Sequence, residues 1–122
     1  MNDSLQETYA PTNRCFGCGP ANDKGLRIKS RVEGDELVAD FTPEEHHQAF
    51  GGILNGGIVG TLLDCHSNWA ATHALMGSQG LSHPPCTVTA EFHVKLRAPT
   101  PLAPLRVRAK PISVEGNKVT VE

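Results

Sequence analysis

Asp64 closes a run of glycines and aliphatics, GGILNGGIVGTLLD over residues 51–64, and is its only acid. A carboxylate in so apolar a segment is costly to bury unless it is paired or put to use. Two uses suit it: taking a proton from water as a general base, or attacking a carbonyl directly. The same run supplies a complementary group, because Asn55-Gly56-Gly57 reads as the start of a helix with Asn55 as N-cap. The first amides of a helix lack intrahelical partners and carry partial positive charge, and glycines leave them open to a ligand. Such a helix start can polarise a carbonyl oxygen or hold an oxyanion during acyl transfer.

Spacing then constrains how the two groups cooperate. Gly56 and Asp64 are eight residues apart, which at about 1.5 Å of rise per residue is roughly 12 Å along a helix axis. One chain cannot bring both to the same carbonyl carbon from one helix. The amide of one chain must meet the carboxylate of another, so a homodimer with composite sites follows. The small and polar stripe Gly57, Gly60, Thr61, Asp64, Ser67, Asn68 and Ala71 allows the close approach this needs. Gly57, Thr61 and Asn68 on that stripe, with His47 and Gln48 just before the Gly-rich turn, are the candidate substrate-lining residues. The plain structural alternative for Asp64 is a hydrogen bond to a neighbour such as Asn68 or to a loop amide.

The elements that must position these groups are legible from periodicity. Residues 1–14 carry none and read as a loose arm. Leu26, Ile28, Ser30 and Val32 alternate with charged residues, and Leu37–Phe41 returns after a Glu33–Glu36 turn, which makes a hairpin. Residues 43–57 read as an ordered loop. The helix that follows buries the bulky stripe Ile58, Leu62, His66, Trp69 and His73, and Gly77-Ser78-Gln79-Gly80 ends it. The segment CTVTAEFHVKLRA over 86–98 is the clearest strand, with Val88, Ala90, Phe92, Val94 and Leu96 inward. Leu105, Val107 and Ala109 mark another strand, Pro111 a bulge or edge, and Gly116-Asn117 a hairpin turn into residues 118–122. The fold class is α+β: an antiparallel sheet wrapped around one long central helix, with residues 15–122 as a single domain.

At 122 residues, 39% apolar and 20% charged, the chain is an ordinary globular domain. A net charge of −2 gives no footprint for nucleic acid or an anionic membrane. No segment is long and apolar enough to span a bilayer, and the first residues lack a signal-peptide pattern, so a cytoplasmic location is expected. No cofactor is called for. Cys15-Phe-Gly-Cys18 has zinc-knuckle spacing, but Cys65 and Cys86 lie 21 residues apart and make no second close pair. Free thiols and no metal are therefore expected. His46, His66, His73, His83 and His93 show no partner pattern for catalysis, and Trp69 and Phe92 read as core. Arg97, Arg106, Arg108 and Lys110 fit either the phosphates of a ligand or a solvated strand face.

The segment HHQAFGGILNGGIVGTLLD, with this layout, resembles the hotdog-fold acyl-CoA thioesterases, in particular the phenylacetic-acid-pathway branch. His47-Gln48 stands at the start of that branch's motif, Asn55-Gly56-Gly57 at its His-Gly-Gly, and Asp64 nine residues after Asn55. Thr89 through Leu96-Arg97-Ala98-Pro99 is similar to the family's strand after the helix, and CFGCGPANDKGLRI at 15–28 to the start of many relatives. The resemblance implies that the Gly56 amide polarises the thioester carbonyl of an acyl-CoA. It also implies that Asp64 of the facing subunit is general base or nucleophile, Thr89 assists, and the protein is a homodimer or a dimer of dimers.

Two departures stand out: Asn55 replaces the usual His, and relatives continue with at least one more strand. Alternation puts Thr89 on the polar face with Glu91 and His93, so it reaches the site only where the sheet bulges or if the site lies on that side. The competing readings are a non-catalytic acyl or acyl-CoA binding protein and a hotdog dehydratase or hydratase. The last lacks a histidine at suitable spacing from Asp64.

Overall fold

The computed structural model describes residues 3–122, and its centre is the long helix that the glycine-rich run begins. This helix, α2, spans Gly56–Gln79. Asn55 caps it, its Oδ1 accepting the Ile58 amide at 3.1 Å, and Gly80 closes it in the left-handed region at φ 63°. Leu62, His66, Ala70 and Leu75 form the buried face.

Against that face packs an antiparallel sheet of β1 (Arg31–Glu33), β2 (Glu36–Phe41) and β5 (Leu105–Ala109), in the order β1-β2-β5. The β1–β2 turn puts Gly34 at φ 66°, a conformation that favours glycine. Ile28, Leu26, Ala39, Val107, Leu62 and Cys18 make the main core, and Leu37, Ala70 and Ala109 a second patch, with Trp69 touching both. Each large aliphatic side chain so buried contributes about 1.5–3 kcal/mol. On the outer face Arg106 pairs with Asp40 at 2.9 Å, Arg108 with Glu36 at 2.9 Å and Lys110 with Asp35 at 2.9 Å. These three cations thus lie on a solvated, cross-strand ion-paired face.

Two further ladders complete the architecture. β3 (Gln48–Phe50) and β4 (Ile53–Leu54) form a small hairpin about Gly51 and Gly52, both at positive φ, before the helix. This gives regular structure to a stretch that glycine content alone marks as loop. β6 (Pro111–Glu115) and β7 (Lys118–Val121) pair across Gly116-Asn117, with an irregularity in register between Pro111 and Ser113.

The structure departs from the sequence reading in three further places. Residues 3–14 of the expected loose arm contain a helix, α1 (Leu5–Tyr9), closed by a capping box in which Ser4 and Glu7 bond reciprocally. The signal was present as Ser4-x-x-Glu7; residues 1 and 2 of the arm lie outside the described residues. Gln6 is buried, its amide exchanging bonds of 2.9 and 2.8 Å with the Ser30 hydroxyl and backbone. The Ser30 hydroxyl donates to His66 Nδ1 at 2.7 Å, and His66 Nε2 donates to the Leu37 carbonyl at 2.9 Å. Burial pushes the His66 imidazole below its ordinary value, and the network holds it neutral.

Second, the first strand is shorter than its alternation. Leu26, Ile28 and Ser30 do point inward. However, the Leu26 and Ile28 amides bond to the Phe16 and Gly17 carbonyls at 2.7 and 3.0 Å, and the Ser30 carbonyl takes the Leu5 amide at 2.9 Å. Third, residues 86–98 run extended without joining a ladder, and Val88, Phe92 and Leu96 are 83%, 47% and 57% exposed. The period-two pattern is there, but within one chain it has no neighbouring strand to complete it. The expected single sheet is therefore three separate ladders, and Phe92 is not core.

Candidate functional site

The extended segment 86–98 lies along α2 and runs antiparallel to it. The Thr87 hydroxyl bonds to Asn68 and lies 2.6 Å from the Thr72 hydroxyl. One turn earlier on the helix, Thr89 Oγ1 donates to Asp64 Oδ1 at 2.5 Å. Farther along, Phe92 Cε1 lies 3.9 Å from where a Cβ on Gly60 would stand, and Leu96 Cδ1 3.2 Å from that of Gly56. Positions 68, 64, 60 and 56 form one i−4 row on the helix surface.

This arrangement explains how Thr89 reaches Asp64. Threonines 87 and 89 face the helix with odd parity, whereas Phe92 and Leu96 face it with even parity, so the chain changes phase between 89 and 92. The bend at Ala90 marks that change. An unbroken strand with Val88 and Ala90 inward would turn Thr89 away. The change of phase releases Val88 to solvent and delivers the hydroxyl to the carboxylate, where a charge-assisted bond is shorter and stronger than a neutral one.

At the helix start the other expected residues take their places. Asn55 donates its backbone amide to the His47 carbonyl at 2.9 Å and spends its side-chain oxygen on the cap. A Cβ on Gly57 would fall 2.9 Å from Asn55 Oδ1, so glycine there leaves room for the capping carboxamide. The Thr61 hydroxyl donates to the Gly57 carbonyl at 3.0 Å and is committed to the helix.

His47 is buried against Phe41, its Nδ1 accepting the Glu44 amide at 2.9 Å, and burial lowers its imidazole below the ordinary value. Gln48 Oε1 accepts the Gly52 amide at 3.4 Å. His47 and Gln48 thus shape the turn that leads into the helix. The structure brings Asp64 and Thr89 together, with Asn68 one turn on. The Asn55–Gly57 cluster stays two turns away, at the roughly 12 Å that helical rise dictates.

An open groove runs between α2, residues 87–95 and β7, with Asp64, Ser67, Asn68 and Ala71 on its helix wall. Sequence reasoning missed Thr87 as the partner of both Asn68 and Thr72, and Leu96 as the residue over Gly56. Their only signal was the i−4 row of small residues that leaves them room. No helix among the described residues is long and apolar enough to cross a membrane.

Neither a protein-family model nor any curated protein sequence matches the chain. Solved structures do. A thioesterase superfamily protein from Shewanella loihica PV-4 is 30% identical, over 96% of this chain and 83% of its own, with a TM-score of 0.73. A second thioesterase superfamily protein, 23% identical, aligns with 99% of this chain at a TM-score of 0.70 and shows the fold alone; the match spans 60% of that protein's length.

Proposed function

The chain belongs to the thioesterase superfamily, with an α+β architecture that fits the hotdog fold, and from that premise we propose that it hydrolyses an acyl-CoA thioester in a site shared between two copies. The observation that carries this reading is the Asp64–Thr89 pair, a carboxylate held by a hydroxyl on the groove side of α2. Thr89 occupies Oδ1 and fixes the carboxylate, and Oδ2 takes a proton from water. The water oxygen bonds to the thioester carbon while the Gly56 amide of the other copy steadies the carbonyl oxygen as it gains charge. Collapse breaks the carbon–sulfur bond. The thiolate leaves with the electron pair and takes up the proton held by Asp64, which restores the carboxylate and yields a carboxylic acid and a thiol.

The unpaired segment 86–98 supports the shared site. Its exposed apolar residues and free strand edge are what a second copy would cover, and an uncovered edge of this kind invites pairing. The acyl group then lies in the groove along Ser67, Asn68 and Ala71. Asn55 is the residue that favours a second reading, a non-catalytic acyl-CoA binding protein, because its oxygen is spent on the cap and only the amide nitrogen remains for substrate.

The test is thiol release from short, medium, long and aromatic acyl-CoAs, the last because the 47–64 motif resembles the phenylacetic-acid-pathway branch. Turnover that disappears in Asp64→Ala supports hydrolysis through Asp64, and turnover indifferent to that change refutes it. Binding of an acyl-CoA without release of thiol establishes the second reading.

A further inference from the structure

The loop 13–19 is closed by its own hydrogen bonds and rests on α2. Asn13 Oδ1 accepts the Cys15 amide at 2.8 Å, and the Gly19 amide donates to the Cys15 carbonyl at 2.8 Å. Two glycines are needed for this closure. A Cβ on Gly17 would stand 2.4 Å from Cys65 Sγ and 2.8 Å from Thr61 Cγ2, and one on Gly19 2.4 Å from the Cys15 nitrogen. The Cys-x-x-Cys loop therefore closes directly over Cys65, a residue 47 positions after Cys18. The sulfurs of Cys15, Cys18 and Cys65 all lie within 4.8 Å of one another, with Cys15 and Cys65 at 3.9 Å. Cys18 is buried and the other two are half-buried.

That spacing suits a shared cation better than a covalent bridge. A disulfide brings two sulfurs to about 2.0 Å. Two thiolates on a tetrahedral zinc, each with a bond of about 2.3 Å, stand about 3.8 Å apart. We propose that Cys15, Cys18 and Cys65 form a binding site for a thiophilic divalent cation, with zinc as its ion and the fourth position, on the half-exposed side, filled by water. Three sulfur donors select against magnesium, calcium and manganese, which prefer oxygen. On binding, each S–H bond breaks heterolytically, the proton passes to solvent and a zinc–sulfur bond forms, with no change of oxidation state.

Cysteine spacing alone does not reveal this site, because its third ligand comes singly, from a helix. The ion ties loop 13–19 to α2 one residue from Asp64, and so holds the turn of helix that carries the acid. This inference is independent of the hydrolase reading.

The test uses the full chain, reduced and stripped of metal, titrated with cobalt(II) and then zinc. The expected result is a saturable sulfur-to-cobalt charge-transfer band at equimolar cobalt, displaced by equimolar zinc. Zinc also raises Tm by roughly 5 °C and leaves only Cys86 open to a thiol reagent. Cys65→Ser removes the band or weakens binding at least tenfold, and Cys86→Ser leaves it unchanged. Absence of the band in the unaltered protein overturns the proposal whether or not any variant folds. Binding by Cys65→Ser as tight as that of the unaltered chain overturns it equally.

Discussion

Replacing Asp64 with Asn separates the chemistry of the site from its architecture. The Asn side chain keeps an oxygen that accepts the Thr89 hydroxyl, which in the native protein lies 2.5 Å from Oδ1, and it changes volume little. Folding stability is therefore expected to stay within about 0.5 kcal/mol of the native value. The amide cannot take a proton from water, and loss of a positioned base lowers kcat by about 10²–10⁴-fold. Thr89→Val removes the other half of the pair. A hydrogen bond to a charged group contributes about 1.5–3 kcal/mol; for a pair as solvent-exposed as this one the lower figure applies, or about tenfold in kcat.

In the proposed mechanism Thr89 acts only through the carboxylate, so the two effects are expected not to add. The double variant is expected to be no slower than Asp64→Asn alone, within about twofold. The assay is single-turnover thiol release on the best substrate of the panel, with urea unfolding of each variant beside it. An Asp64→Asn protein that keeps more than about a third of native kcat would falsify the reasoning. A double variant slower by the product of the two single effects would show that Thr89 works on something else.

Phe92 and Leu96 are exposed yet lie over Gly60 and Gly56, so Phe92→Asp with Leu96→Asp is expected to yield a monomer in analytical ultracentrifugation and to abolish turnover. A monomer that retains turnover removes the composite site. Burial lowers the His66 imidazole from 6.5, so the unfolded chain binds more protons than the folded one below that pH. Its stabilising contribution is complete above about pH 6.5 and is lost as pH falls toward the lower folded value. The urea midpoint should drop between pH 7 and pH 5, less so in His66→Gln, and equal slopes would exclude His66 as the source. Gly17→Ala puts a Cβ 2.4 Å from Cys65 Sγ and is expected to cost about 1–3 kcal/mol in urea unfolding; a neutral effect would mean that the loop moves freely off the helix.

Local chemistry made much of this protein legible before any coordinates. The Asn55 cap, the Gly80 stop and the Gly34 and Gly116 turns depend on residues adjacent in the chain, so the helix and two hairpins follow from propensity and spacing. The eight residues between Gly56 and Asp64 likewise place the two groups on different turns by helical rise alone. The capping box at Ser4 and Glu7 is equally local, but the residues around it lack a helical period.

What only the tertiary structure decided are the meetings between distant segments. Thr89 touches Asp64 because the chain changes phase near Ala90, a change that alternation across 86–98 conceals. Gln6, Ser30 and His66 become one buried network only once α1 rests against Ser30. Cys65 joins Cys15 and Cys18 because Gly17 lets a loop rest on a helix. A sequence specifies short-range geometry through φ, ψ and periodicity, whereas contacts across 25 to 50 residues depend on packing that the whole chain settles at once.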